Sequence, residues 1–169
     1  MSPTLASSRA LLRLTQPGVW CRWRYVVRSH HFFLERWQAP AAWFSRRLAY
    51  SASVATGSMI GFVLGLGDRH SSNILIDTKS AELVHIDLGI AFDQGRLLRT
   101  PEVVPFRLTR DIEDGLGVSG VEGTLRGAAE HTMRVLRANS DALVTILQVM
   151  ARDPFCACLC DDGARLFAS

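Results

Sequence analysis

From Leu48 to Gly67 the chain runs without a charged residue. A stretch of that length raises a membrane span, but Ser51, Ser53, Thr56, Gly57, Ser58, Gly61, Gly65 and Gly67 dilute its hydrophobicity, so the pattern predicts a buried core helix. Pro40 sits where a helix starts without losing a needed N–H. The helix is therefore placed from Ala41 to about Leu64, with Trp43, Leu48, Val54, Ile60 and Val63 as core contacts. Polarity returns over Gly65–Asn73, a short loop. Ile74-Leu75-Ile76 reads as a strand, Asp77-Thr78-Lys79-Ser80 as a turn, and Glu82–Asp87 as the returning strand. Alternation puts Leu83, His85 and Asp87 on one face and Val84 and Ile86 on the other. Residues 88–106, holding Pro101, Pro105 and two glycines, carry no helical stripe and read as an extended, mobile segment. Helical signals resume over Phe106–Asp114. Ser119-x-x-Glu122 has the form of a capping box opening a helix to about Asn139, with Val121, Leu125, Ala128, Ala129, Met133 and Leu136 at helical spacing. Ser140 or Asp141 starts another helix, with Leu143, Ile146, Leu147 and Met150 inside and Asp153-Pro154 as its stop. Residues 1–31 show no clear period and are assigned little order.

One hundred and sixty-nine residues suffice for one domain with a core. The net charge of +3 is carried almost wholly by arginine. Arg9, Arg13, Arg22, Arg24, Arg28 and Arg36 stand against Glu35 alone in the first forty positions. Such an acid-poor leader is compatible with a mitochondrial transit peptide, although a divergent leader is the preferred reading. The lack of lysine and of any repeat makes nonspecific nucleic-acid binding a weak reading of it, and no direct sequence-specific contact is expected. Cys21, Cys156, Cys158 and Cys160 come with no secretory leader, which points to a reducing compartment. The one-residue alternation of Cys156, Cys158 and Cys160 is unlike a zinc knuckle. Gly115-Leu116-Gly117-Val118-Ser119-Gly120 satisfies a dinucleotide fingerprint by letters only, because a polar, helix-like segment precedes it instead of a strand.

The chemistry concentrates in Gly65-Leu66-Gly67-Asp68-Arg69-His70-Ser71-Ser72-Asn73 and, fourteen residues later, Asp87-Leu88-Gly89. Phosphoryl transfer needs a proton acceptor near the attacking hydroxyl, and an Asn and an Asp to hold divalent ions on the phosphates. The ordinary protein-kinase loop reads His-Arg-Asp, with the Asn five residues after the Asp. Here the order is Asp68-Arg69-His70, and Asn73 is again five after Asp68. The predicted hairpin joins Asn73 at its entry to Asp87 at its exit, so both can reach one metal site. This inverted loop resembles the phosphatidylinositol 3-kinase-related protein kinases. Trp43–Ser51, Ser80–Gly89 and Thr100–Asp111 carry the same resemblance, which covers roughly residues 32–155.

That resemblance implies an α+β, mainly helical kinase C-lobe without its N-lobe. Its parts would be a catalytic loop at 65–73, a metal-site hairpin at 74–87, an activation loop at 87–106 and helices over 107–152. Residues 1–31 would be a divergent leader and 156–169 a divergent tail. Asp68 is the candidate base and His70 the candidate contact to the γ-phosphate. Asp68, Asn73 and Asp87 would hold ATP with Mg²⁺ (or Mn²⁺), with Asn73 and Asp87 as the metal ligands. Arg69 is expected to anchor the loop and His85 to be a satisfied core histidine, with lining the site as the lesser alternative. The activation segment bears Arg96 and Arg99 against Asp93 and Glu102, a balance of zero that favours protein over lipid substrates. The family implies Ser or Thr followed by Gln as substrate, a DNA-damage role in the nucleus, and an upstream helical scaffold and N-lobe. Only 67 residues precede Asp68, the sole lysine is Lys79, and no Gly-rich phosphate loop is present. The alternative is thus a catalytically inactive fragment acting at most as a binding module, and a lipid-kinase fragment ranks below both.

Overall fold

In the computed structural model, the described residues are 20–22, 29–92 and 94–151. They form a mainly helical body on a small antiparallel sheet. Strand β1 (Trp20–Arg22) is followed by helix α1 (Ser29–Arg36) and the long helix α2 (Pro40–Val63). Strands β2 (Ile74–Asp77) and β3 (Leu83–His85) come next, then a short 3-10 turn at Gln94–Leu97. Helix α3 (Arg110–Leu116), a 3-10 turn at Gly120–Glu122, and helices α4 (Thr124–Ala138) and α5 (Ser140–Ala151) complete the order.

Helix α2 carries 24 residues, about 36 Å at the standard rise, and Pro40 occupies its first turn as expected. Tyr50, Ser51, Val54 and Ala55 form its buried face. Of the five core contacts expected on it, Val54 is buried and Trp43 packs against the core from its edge. Leu48, Ile60 and Val63 are instead exposed. The helix crosses the core at its middle, and the described residues cover those three side chains only in part. No helix among the described residues is long and apolar enough to cross a membrane.

The sheet has the order β1-β2-β3. Ile74 pairs with His85, Leu75 with Val84 and Ile76 with Leu83. Strand β1 adds Trp20 opposite Asp77 and Arg22 opposite Leu75. The expected two-stranded hairpin therefore gains a third strand from the leader assigned little order, and α1 begins inside that leader too. Three- and eight-residue elements are too short to show a period. The turn closes when Asp77 Oδ1 accepts the Lys79 N–H at 2.7 Å. That bond leads the causes that hold the Asp77 carboxyl below its ordinary range. The returning strand ends at His85, and Asp87 turns to φ 55°, so the expected alternation of Asp87 with Leu83 and His85 stops there.

The core joins α1, α2, α3, α4 and the sheet. Phe33, Tyr50, Ile74 and Ile76 are sealed from solvent, with Val54, Ala55, Ile112, Leu116 and Leu125 around them. The Phe33 and Tyr50 rings meet edge to face at 5.2 Å, and Tyr50 O–H donates to the Ile112 carbonyl at 3.1 Å. Ser53 Oγ accepts the Leu83 N–H at 2.8 Å, tying the sheet to α2. His30 Nδ1 lies 2.6 Å from Asp114 Oδ2, fastening α1 to α3.

The capping box does not form. Ser119 lies in the right-handed helical region (φ −76°, ψ −14°) and makes no capping bond. Its backbone cannot present the hydroxyl to the next turn as an extended N-cap does, and Glu122 pairs with Arg126 at 2.6 Å instead. The helix starts at Thr124, and Leu125, Val121, Ala128 and Ala129 face the core. On α5, Ile146 is exposed instead of inside, because α5 packs little against the body. Gly115–Gly120 is the end of α3 and a turn, with Gly117 at φ 82° and the Arg47 guanidinium where a Cβ would stand. The cysteine run and Asp153-Pro154 lie outside the described residues.

Candidate active site

The loop between α2 and β2 turns back on itself through a short backbone ladder. Gly67 N–H donates to Ile90 O at 2.9 Å, and Phe92 N–H donates to Leu64 O at 2.8 Å. This brings the start of the 88–106 segment alongside Asp68. Asp68 itself has φ 54°, a left-handed conformation that costs a non-glycine residue about 1–2 kcal/mol. Three groups hold it. Asn73 Nδ2 donates to the Asp68 carbonyl at 2.9 Å and lies 3.5 Å from its Oδ2. Both carboxylate oxygens of Glu102 sit 3.0 Å from the Asp68 N–H. Arg69 supplies the third hold.

Arg69 is buried and spends its fork on backbone carbonyls. Nε donates to Gly67 O at 2.8 Å and Nη1 to Ile86 O at 2.8 Å, while Nη2 donates to Asp87 O. Arginine suits this task because its planar fork meets several acceptors at fixed angles. Burial lowers its pKa from the ordinary value, and the nearby Asp68, Asp87 and Glu102 charges partly offset that. The arginine staples the loop to the end of the hairpin, as the sequence led us to expect of an anchor.

The four singled-out side chains fall into an inner pair and two open positions. Asp68 and Asn73 touch directly, with Asn73 buried. His70 is exposed, and its Nε2 stands 3.8 Å from Asp68 Oδ2. Its Nδ1 accepts the Ser72 N–H at 3.2 Å, so in the neutral ring Nε2 carries the proton and points a donor outward. Asp87 is exposed and joins the group through its backbone: Arg69 holds its carbonyl, and the neighbouring Ile86 N–H donates to Asn73 O at 3.0 Å.

The donor set fits a hard divalent cation. With Nδ2 turned to Asp68, Asn73 keeps Oδ1 as its acceptor, and Asp87 offers an open carboxylate. Two protein oxygens leave most of an octahedral shell to phosphate and water, the usual condition of magnesium at nucleotide sites.

His85 packs against α2, where a Cβ on Gly57 would stand 3.0 Å from its ring. Its Nδ1 is buried and finds no hydrogen-bond partner among the described residues. Burial first, and the Arg69 charge second, lower its pKa from 6.5 to about 4. It is a half-buried ring at the edge of the core and, with Nδ1 lacking a partner among the described residues, not the satisfied core histidine expected.

Glu102 is the residue that sequence reasoning missed, entering there only in a charge count. Its one signal is that it stands as the single acid in Thr100–Phe106, among prolines and valines.

Comparison with known proteins is consistent with this geometry. The phosphatidylinositol 3- and 4-kinase family model matches residues 24–159. The chain is 60% identical over 125 residues to the serine/threonine-protein kinase ATM of Arabidopsis thaliana, covering 74% of this chain and 3% of that one. It is 60% identical over 124 residues to the serine-protein kinase ATM of Sus scrofa, 73% of this chain and 4% of that one. Among solved structures, the FAT and kinase domain of CtTel1 superposes with a TM-score of 0.69 at 45% identity, covering 84% of this chain and 9% of that chain. The chain thus spans only a few per cent of the length of the curated relatives it matches.

Proposed function

The chain belongs to the phosphatidylinositol 3- and 4-kinase family, and we propose that it provides the catalytic-loop side of an ATM-like serine/threonine protein kinase. The reaction is transfer of the ATP γ-phosphoryl group to a protein hydroxyl. The substrate oxygen–phosphorus bond forms, the bond to the bridging oxygen of ADP breaks, and the hydroxyl proton passes to Asp68. The supporting observation is the Asp68–Asn73 pairing at the mouth of a loop whose every strained turn is tied down. Asp68 orients the hydroxyl and accepts its proton late, because a loose transition state has little need of early deprotonation. His70 directs its Nε2–H to oxygens on which negative charge spreads. Asn73 and Asp87 would hold Mg²⁺ or Mn²⁺, and a bound ion supplies positive charge to the phosphoryl oxygens. The relatives named above are protein kinases, and the balanced charge of residues 88–106 agrees with a protein substrate. Ser/Thr-Gln sites, DNA-damage signalling and a nuclear location extend the reading through the family. By itself the 169-residue polypeptide carries one lysine, Lys79, set in the β2–β3 turn, and we expect no measurable turnover from it alone.

The test is a graft. Residues 32–155 replace the matching stretch of the Arabidopsis relative, and the hybrid is assayed with Mg²⁺-ATP and a Ser-Gln peptide. Phosphorylation that Asp68→Ala lowers by ~10²–10⁴-fold is expected. A folded hybrid that is inert, or one unaffected by Asp68→Ala, overturns the reading.

A further inference from the structure

We propose that Glu102 is the positioning residue for Asp68, and that it couples the segment 94–106 to the geometry of the proton-accepting loop. The assignment of Asp68 as base rests on the kinase reading above; the coupling itself does not.

The geometry leaves Glu102 little freedom. Its backbone N–H donates to Gly95 O at 3.1 Å, which fixes where the side chain starts. The carboxylate then lies between two glycine backbones. A Cβ on Gly67 would meet Glu102 Oε2 at 2.8 Å and the Gly95 Cα at 2.9 Å, and a Cβ on Gly95 would meet the same oxygen at 2.5 Å. Any side chain at either position fills the space that the carboxylate uses. Wedged there, both oxygens share the Asp68 N–H at 3.0 Å.

That N–H belongs to a residue held at φ 54°, whose carbonyl is gripped from the other side by Asn73. A left-handed aspartate persists only when its surroundings over-determine it. Here one clamp comes from the loop's own Asn73 and the other from a residue 34 positions away. Arg69 interacts with the charges of Asp68, Asp87 and Glu102 and offsets part of their mutual repulsion, one cation against three acids. Glu102 also lines an open groove with Phe62, Gly67, Gly95, Val103 and Val104.

The test uses the 169-residue chain and site-resolved amide hydrogen exchange with ¹H–¹⁵N chemical shifts. Glu102→Gln is nearly isosteric and leaves a single neutral acceptor. It should speed exchange of the Asp68 amide about tenfold and move its proton resonance upfield, as expected when a charge-assisted hydrogen bond becomes a neutral one. Glu102→Ala should speed it further, while the amides of Val54 and Ala55 in α2 stay protected and report that the fold is intact. In the grafted kinase, Glu102→Gln should lower kcat with KM for ATP nearly unchanged. An Asp68 amide with the same exchange rate and shift in wild type and Glu102→Gln overturns the coupling. An altered amide in a chain whose graft never transfers phosphate would leave the coupling standing and remove only the base assignment.

Discussion

Phe33, Tyr50, Ile74 and Ile76 are closed off from water, whereas Asp68, His70 and Asp87, a few residues along the same chain, stay open to it. The core is held by apolar area and ring contacts, which are non-directional and tolerant of detail. The loop beside it is held by directed polar bonds to backbone: the three-pronged Arg69, the Asn73 amide and the Glu102 carboxylate. Asp68, Asp87 and Phe92 are left-handed there, whereas the core holds one such residue, Ala81, so backbone strain concentrates around the site. The contrast teaches that the site is a load carried by the body: burial supplies the stability, and a few charged groups convert it into fixed geometry.

The comparison is most easily broken at its extremes. Phe33→Ala removes a fully buried ring in contact with Phe32, Trp37 and Tyr50, and should cost about 4 kcal/mol in urea denaturation. Next is Arg69→Met, similar in length but unable to donate. It strands the Gly67, Ile86 and Asp87 carbonyls and leaves three acids without their common cation, so about 3 kcal/mol should be lost. Arg69→Lys should recover less than half of that, because one ammonium cannot meet three carbonyls at the angles of a fork. A loss below about 1 kcal/mol for Arg69→Met would mean that the loop is held by something other than this staple.

The same contrast explains what could be read from the letters. Helix α2 was legible because 24 residues give many turns of pattern and Pro40 marks the start. Strands β2 and β3 were legible because apolar runs flank a turn. Asp68, His70 and Asn73 lie within six residues, so any short loop gathers them. Elements of three and eight residues, β1 and α1, offer no period to detect. Ile60 and Val63 looked like core because hydrophobicity says what can be buried and not what is present to bury it. The capping box failed because the motif fixes residue types but not the φ and ψ of Ser119. Glu102 was invisible for a further reason: it bonds a backbone N–H, a group that every residue except proline carries, so no partner side chain signals the contact.

A smaller effect sharpens the boundary between core and site. His85 sits at that boundary, with its pKa lowered from 6.5 to about 4. Between those values the unfolded chain binds a proton that the folded chain refuses. The contribution is therefore full above pH 6.5, declines as pH falls toward 4, and is constant below. The shift is equivalent to roughly 3 kcal/mol, reduced to about 2 kcal/mol because part of the ring reaches solvent. Denaturation midpoints in EDTA across that range should show the decline, and His85→Gln should flatten it. A wild-type profile as flat as that of His85→Gln would place His85 in a wetter setting than its packing on Gly57 gives.

Asp68→Gly should give the smallest change in stability, and it is the one with an unusual sign. Glycine accepts φ 54° without the Cβ penalty that aspartate bears there. The relief is about 1–2 kcal/mol, set against about 0.4–1 kcal/mol of extra entropy in the unfolded chain. Removing one of the three acids around Arg69 adds no unpaired cation, since Asp87 and Glu102 remain. The variant should therefore unfold at slightly higher urea, a gain of about 0.5 kcal/mol, while the graft that carries it transfers no phosphate. Asp68→Ala keeps the penalty and should show no such gain. If Asp68→Gly is instead less stable than wild type by more than about 1 kcal/mol, the carboxylate is part of what holds the loop. The division between a supporting body and a strained base whose own carboxylate adds nothing to stability would then be wrong.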